Sequence, residues 1–443
     1  LRIVEASSFL KGELRDLARR GALDLSKALK EVEGIVAEVR AKGDEALREL
    51  SRSLDGVEVE EWSLEADRGE VEEAYREVGE EALKAIRAAA ANVRRFHEAS
   101  RPTSSSVKVV EGLVAGRLLK PLRRVGVYVP KGRAGYPSTA IMAVVPAKVA
   151  GVREVLVCTP PLRDGRAPPL TLVAAVEAGA DRVFKVGGAQ AVAAMAYGTQ
   201  TIPKVDKVVG PGGLYVTAAK LAVSLEVAVD LPAGPSEVVV VADESADPTL
   251  AALDLLAQVE HGASSMAILI TTSRQLAEGV AREVERWMEV YPEGSVERSW
   301  LEEGLRGRGF IVVAKGLGEA VELVNELAPE HVELMVKDPL SLAGRVENAG
   351  ALFLGSYAAT ALGDYVAGPS HILPTGGYAR AYSGLSTKDF VKEVSFVSCT
   401  HQGLEEAGWA AVKLAELEGF KLHARSIEER LRRLRAALSR PSA

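Results

Sequence analysis

Cysteine is scarce in this chain, with two residues, Cys158 and Cys399, among 443. They can close at most one disulfide, so a disulfide framework is excluded. Cys158 ends the apolar run Val155 to Cys158, as an inert strand residue does, and thiol catalysis is not expected of it. Long hydrophobic runs are missing too: Val238 to Ala242 and Ala267 to Ile270 are strand-sized. Both fall far short of the roughly 18 residues a membrane span requires, so no transmembrane helix is expected. The opening Leu1-Arg2-Ile3-Val4-Glu5 has no basic segment followed by an apolar one, so no signal peptide is expected and the setting reads as cytoplasmic. Excess positive charge is also lacking. A net charge of −7 argues against a nucleic-acid or membrane-surface partner, and Arg430, Arg432, Arg433 and Arg435 read as a solvated helix face. No Gly-x-Gly-x-x-Gly fingerprint follows the apolar runs, so a dinucleotide site cannot be argued from that motif.

Apolar material is plentiful. With 47% hydrophobic residues the chain can fill more than one core, and its length exceeds what a single core normally holds. From Leu14 to about Arg101 apolar residues recur at three and four, as in Leu29, Val32, Ile35 and Val36, which predicts a helix-rich N-terminal region. Beyond the polar stretch Pro102 to Ser106, short β-branched runs alternate with Ala-rich helical segments. Val125 to Val129, Glu154 to Cys158, Arg182 to Val186 and Lys207 to Val209 predict one set of parallel βα units. A second set is predicted from Val238 to Ala242, Ala267 to Thr272, Phe310 to Ala314, Val332 to Val336 and Ala351 to Leu354. After about Tyr382 the strand pattern ends, and Gly403 to Glu418 and Ser426 to Leu438 read as helices with an apolar stripe of Leu404, Ala407, Ala411, Leu414 and Leu417. Such a stripe needs a surface to cover, in its own chain or in a partner.

Three of the six histidines fall in segments suited to chemistry. Gln258-Val-Glu-His261 places an amide and an imidazole on one helix face, where both can point at one metal ion, although such a pair is more often a surface accident or a structural hydrogen bond. Glu330-His331 stands where a loop enters the run Val332 to Val336, an acid and an imidazole at a strand junction or simply an exposed polar pair. Asp364 and His371 lie in the Gly- and Pro-rich loop Gly363 to Gly377, whose small residues permit tight turns and close approach to a ligand.

Together the segments form a pattern. Val125-Gly-Val-Tyr-Val-Pro130, Gly187-Gly-Ala-Gln-Ala-Val192, Ala233-Gly-Pro-Ser-Glu237, Gln258-Val-Glu-His261, Ala328-Pro-Glu-His-Val332, Gly363-Asp-Tyr365 and Glu418-Gly-Phe-Lys-Leu-His423 occur in an order and spacing that resembles the histidinol dehydrogenase family from roughly Leu17 to Arg440. The resemblance implies an α/β fold of two incomplete doubly wound, Rossmann-like parallel-sheet domains, with a helical N-terminal region and a helical C-terminal tail. The expected division is an arm over 1–25, a first domain over 26–127 plus 237–382, a second over 128–236 and a dimerisation tail over 383–443.

The same resemblance implies an activity: four-electron oxidation of L-histidinol through histidinal to L-histidine with two NAD, the last two steps of histidine biosynthesis. It implies one Zn2+ per subunit, held by Gln258, His261, Asp364 and His423. His331 corresponds to the general base and Glu330 to the group that activates water. Ser236, His371 and Glu418, with His331 and the metal ligands, correspond to substrate contacts, and Tyr128, Gln190 and Gly213 to the NAD site. It also implies a homodimer whose tails complete each other's active sites. Two positions depart from the family pattern: Gly213 stands where asparagine is common, and Lys131 where glycine is common. Relatives of the family that oxidise another small polar alcohol are the alternative.

Overall fold

Runs such as Glu237 to Ala242 and Met266 to Thr271 offer no polar face, so their strands must be covered on both sides, the condition of a parallel sheet in an α/β protein. The computed structural model describes residues 1–12, 17, 26–57, 62–132, 134–230 and 234–438. These fall into two compact units: residues 1–100 with 122–390, and residues 101–121 with 391–443.

The first unit contains two parallel sheets. One has six strands in the order Arg2–Glu5, Gly309–Val313, Met266–Thr271, Glu237–Ala242, His331–Met335 and Ala351–Leu354. Its central strand alternates with the period of two that a pleat imposes. Val239 and Val241 enter a core with Val321, Val324 and Leu327 of one helix, whereas Val238 and Val240 enter another with Leu255 and Val259 of the helix Pro248–Val259. The other sheet has five strands in the order Arg182–Lys185, Glu154–Thr159, Arg124–Tyr128, Lys207–Val209 and Ala228–Val229. The order in which strands are added reverses at Arg124–Tyr128, from which later strands extend to both sides, the mark of a doubly wound sheet. Gly210 follows Lys207–Val209 with φ of 121°, and a Cβ there would lie 2.1 Å from the Tyr128 carbonyl oxygen, so the turn admits only glycine.

The two-sheet α/β class agrees with expectation, but the structure divides the chain differently. Residues 26–57 do not join the six-stranded sheet. Ala28, Val32, Val36 and Val39 of the helix Ser26–Lys42 share a core with Val192, Ala193 and Ala196 of the helix Gly188–Tyr197, on the five-stranded sheet. Small side chains on both helices allow that approach. Arg124–Tyr128 pairs with Glu154–Thr159 and Lys207–Val209, so a boundary after residue 127 cuts through a strand. In the expected helical arm, Arg2–Glu5 is instead an edge strand paired with Gly309–Val313, followed by the short helix Ala6–Lys11. Residues 13–16 and 18–25 of that arm lie outside the described residues.

The second unit is a three-stranded antiparallel sheet, Ser105–Val110, Leu113–Pro121 and Val391–Cys399, with the helices His401–Leu417 and Lys421–Leu438. Strands therefore do not end at Tyr382, and the unit reclaims residues 101–121 from the first expected domain. Val391–Cys399 is exposed along most of its length, so it carries none of the apolar alternation that betrays a half-buried strand. Gly419, with φ of 80°, turns the chain between the two helices.

Candidate active site

A cleft of about 550 Å³ lies in the first unit, between the two sheets. From the five-stranded side it is lined by Pro130, Tyr136, Ser138, Thr139 and the turn Pro211 to Leu214, which follow the carboxyl ends of strands. From the six-stranded side come Ser236, Glu330 and His331, which stand at the amino ends of Glu237–Ala242 and His331–Met335. Only the first set obeys the rule that open α/β sheets bind ligands beyond the carboxyl ends of their strands.

Eight of the expected residues line this cleft: Gly213, Ser236, Gln258, His261, Glu330, His331, Asp364 and His371. Gln258 closes the helix Pro248–Val259, and His261 follows three residues later. Asp364 sits in a six-residue helix, Thr360–Tyr365, where the composition suggested loop. Ala233, in the motif ahead of Ser236, lies outside the described residues.

Glu330 and His331 are 7% and 3% exposed, and the strand beside them fixes both. The Glu237 amide donates to Glu330 Oε2 at 2.9 Å, and the Glu330 amide donates back to Glu237 Oε2 at 3.3 Å. His331 Nδ1 lies 3.0 Å from the Glu237 carbonyl oxygen, which can only accept, so Nδ1 carries a proton and Nε2 faces Asp364 Oδ1 at 3.7 Å. Burial opposes the imidazolium, but the Glu330 carboxylate, 3.5 Å away, outweighs it and with Asp364 lifts His331 to about 9. An unperturbed histidine is therefore not what the site holds. Burial raises Glu330 as well, against the pull of His331. His371 Nδ1 donates to the Asp364 carbonyl oxygen at 2.7 Å, its Nε2 meets Thr139 Oγ1 at 3.1 Å, and burial lowers its proton affinity. It thus bridges the two walls.

Gln258, His261 and Asp364 bring an amide, an imidazole and a carboxylate to one cleft, a nitrogen and oxygen set of the kind borderline metals accept. The Gln258 amide is 3% exposed, and its Nε2, a donor that cannot ligate a metal, meets no partner among the described residues; the amide oxygen is the atom that would meet a metal. This donor set fits a metal ion. Among the described residues no three His, Cys, Asp or Glu side chains gather as a ready-made metal cluster.

The other expected residues are placed elsewhere. Tyr128, 5% exposed, accepts at its hydroxyl from the Gly188 amide at 3.2 Å. Gln190, 1% exposed, donates from Nε2 to Asp55 Oδ2 at 3.1 Å, and its Oε1 has no partner among the described residues. Both lie at the start of the helix Gly188–Tyr197 rather than on the cleft lining. Glu418 and His423 belong to the second unit, where both are exposed and the His423 ring lies 5.2 Å from that of Phe420.

Sequence reasoning gave no role to Glu237, Asp254 or Glu333. Each is an acid inside an apolar run, Glu237 before four valines and Asp254 within Ala251-Ala-Leu-Asp-Leu-Leu256, and that contrast was the available signal.

The chain is similar to known proteins along most of its length. The family model described as histidinol dehydrogenase matches residues 18–431. The chain is 45% identical over 425 residues to the histidinol dehydrogenase of Methanosarcina barkeri, covering 96% of both. It is 48% identical over 399 residues to that of Moorella thermoacetica, covering 90% of this chain and 93% of the relative. The crystal structure of histidinol dehydrogenase from Elizabethkingia anophelis superposes with a TM-score of 0.90 at 34% identity, covering 96% of both chains.

Proposed function

Because the chain belongs to the histidinol dehydrogenase family and is thereby an NAD-dependent oxidoreductase, we propose that it oxidises L-histidinol through histidinal to L-histidine, consuming two NAD and using one Zn2+ per subunit. The observation that carries this reading is the gathering of Glu330 and His331 with Gln258, His261 and Asp364 around one cleft. In that reading Gln258, His261 and Asp364 would hold zinc, which would orient and polarise the substrate, and NAD would supply the hydride acceptor for each oxidation.

His331 takes the proton. The Glu237 carbonyl oxygen holds its Nδ1–H, so the neutral ring presents Nε2 as the acceptor for the alcohol proton, and the anions that raise its proton affinity make it a stronger base once neutral. Glu330 serves the middle step. Its carboxyl, held by the Glu237 amide and raised by burial, takes a proton from the water that adds to the aldehyde. The hydrate then loses its hydride and gives its proton to His331 again. Ser236 and His371 line the space in which the substrate is held, and Gly213 lines the NAD side.

A homodimer with shared sites, in which Glu418 and His423 act on the partner's cleft, belongs to the same proposal. Its support is the second unit's surface, where Trp409, Leu414, Leu417 and Leu422 are 69%, 60%, 73% and 83% exposed, an apolar array that a partner can cover. A cytoplasmic setting is part of the reading too, and no described helix is long and apolar enough to cross a membrane.

Counting NADH formed per histidinol consumed by the purified, zinc-loaded protein tests the reaction. Two per substrate is the expected result. One per substrate points to a dehydrogenase of another small polar alcohol, and none with metal present overturns the proposal.

A further inference from the structure

Three elements carry the proposed metal and substrate groups. Gln258 closes the helix Pro248–Val259, Asp364 lies in the helix Thr360–Tyr365, and His331 opens the strand His331–Met335. Among the described residues, none of these groups is hydrogen-bonded to both of the other elements. A second pair of acids lies behind them.

Glu333 follows His331 by two residues, so both side chains project from the same side of the strand. It is 1% exposed. Its Oε1 accepts from the Thr360 amide at 2.7 Å and from the Thr360 hydroxyl. The residue ahead of that helix, Ala359, has no side-chain cap to offer, so Glu333 supplies the cap from a neighbouring strand. Asp254 lies four residues before Gln258, on the same helix face. Its carboxyl meets that of Glu333. Glu333 Oε2, which is fully buried, finds no donor among the described residues when both acids are counted as ionised. Two buried carboxylates in contact repel, and one proton between them turns the repulsion into a hydrogen bond and satisfies the orphaned oxygen.

We propose that Asp254 and Glu333 share one proton and act as a positioning pair, tying the helix of Gln258 and the helix of Asp364 to the strand of His331. Burial and then the Glu333 carboxyl push Asp254 up to about 8, and burial raises Glu333, so the pair retains its proton at neutral pH. The role assigned to Gln258 and Asp364 rests on the proposed function; the shared proton does not.

Asp254→Asn separates a shared proton from a charge. Its amide donates to Glu333 Oε2 without needing a proton, so the tie survives, whereas Asp254→Ala leaves that oxygen unpaired. Zinc affinity, measured by competition with a chromophoric chelator, is expected to stay within about twofold of the parent in Asp254→Asn and to fall about ten- to a hundredfold in Asp254→Ala. The infrared difference spectrum of parent minus Asp254→Asn, taken at neutral pH without metal, is expected to show the C=O band of a protonated carboxyl. If Asp254→Ala does not fold, the infrared band still decides the pair. Equal loss of zinc affinity in Asp254→Asn and Asp254→Ala, or absence of the band in the parent, overturns the pair. A parent protein that takes up no zinc overturns the functional reading instead, and the band still decides the pair.

Discussion

His331 is held from three directions: by the Glu237 carbonyl at Nδ1, by Glu330 beside it, and by Asp364 opposite Nε2. The adjacent Glu330 answers to a separate task, and substitution can divide the two. Glu330→Gln is expected to slow histidinol oxidation about a hundredfold while slowing oxidation of supplied histidinal hydrate far less, because the hydrate no longer needs water activated. His331→Asn is expected to slow both. Single-turnover NADH formation with each substrate checks this, and equal losses in Glu330→Gln would remove its separate role. Gly213 offers a gain instead of a loss. It precedes the helix Leu214–Val223, and a Cβ there meets nothing within 4 Å, so the backbone accepts the Cβ of Gly213→Asn. Asparagine also caps a helix better than glycine by a few tenths of a kcal/mol. NAD binding by calorimetry is expected to tighten in Gly213→Asn, with the melting temperature unchanged or slightly higher. The sequence disclosed five residues that line the cleft, Gln258, His261, Glu330, His331 and Asp364, because histidines are few and their neighbours distinctive. It concealed Glu237, Asp254 and Glu333, since an acid in an apolar run shows that a partner must exist without naming it.

At the scale of elements, the start of the helix Gly188–Tyr197 is occupied by the chain itself. Asp55, from the turn that ends Ser51–Asp55, accepts from the Gly187 amide and from Gln190, with Lys131 nearby. Burial raises its carboxyl to about 6 in spite of those partners. A helix N-terminus favours an anion by up to about 1 kcal/mol, whereas a shift of roughly two pH units corresponds to nearly 3 kcal/mol, so burial wins. The unfolded chain loses this proton near pH 4, and the folded chain keeps it to about 6. Between those values the folded state binds more protons, so this group's contribution favours folding most in acid and declines as pH rises through 6. Asp55→Asn removes the dependence, and its amide can serve the unpartnered Gln190 Oε1 once that side chain turns. Stability of the variant is expected to exceed the parent's by about 1–2 kcal/mol at pH 7 and to match it near pH 4, by urea denaturation. A difference independent of pH would assign the effect to packing. Legibility at this scale follows burial. Val238 to Ala242 and Ala267 to Ile270 announce themselves because both faces are covered. Val391–Cys399 and Arg2–Glu5 do not, because one is exposed and the other is four residues at an edge.

At the scale of the whole molecule, the second unit ends in helices whose apolar side chains are exposed. Trp409, Leu414, Leu417 and Leu422 are large enough that leaving them in water costs several kcal/mol in sum, at about 1.5–3 kcal/mol for a fully buried aliphatic side chain. Symmetric pairing of two chains offers such a surface its complement. If the pairing also brings His423 of one protomer to Gln258, His261 and Asp364 of the other, two inactive variants should repair each other. His261→Asn and His423→Asn chains are each expected to be inactive as pure dimers. Mixed dimers, formed after dissociation and reassociation, contain one site in which both lesions meet and one in which neither does. Random pairing makes half of the dimers mixed, with half of their sites intact, so about a quarter of the parental activity is expected to return. If His423 serves its own chain, every site keeps one lesion and activity stays at the level of the separate variants. That outcome, with subunit exchange demonstrated by native mass spectrometry of differently tagged chains, would remove the shared site and leave the exposed apolar face to pairing alone.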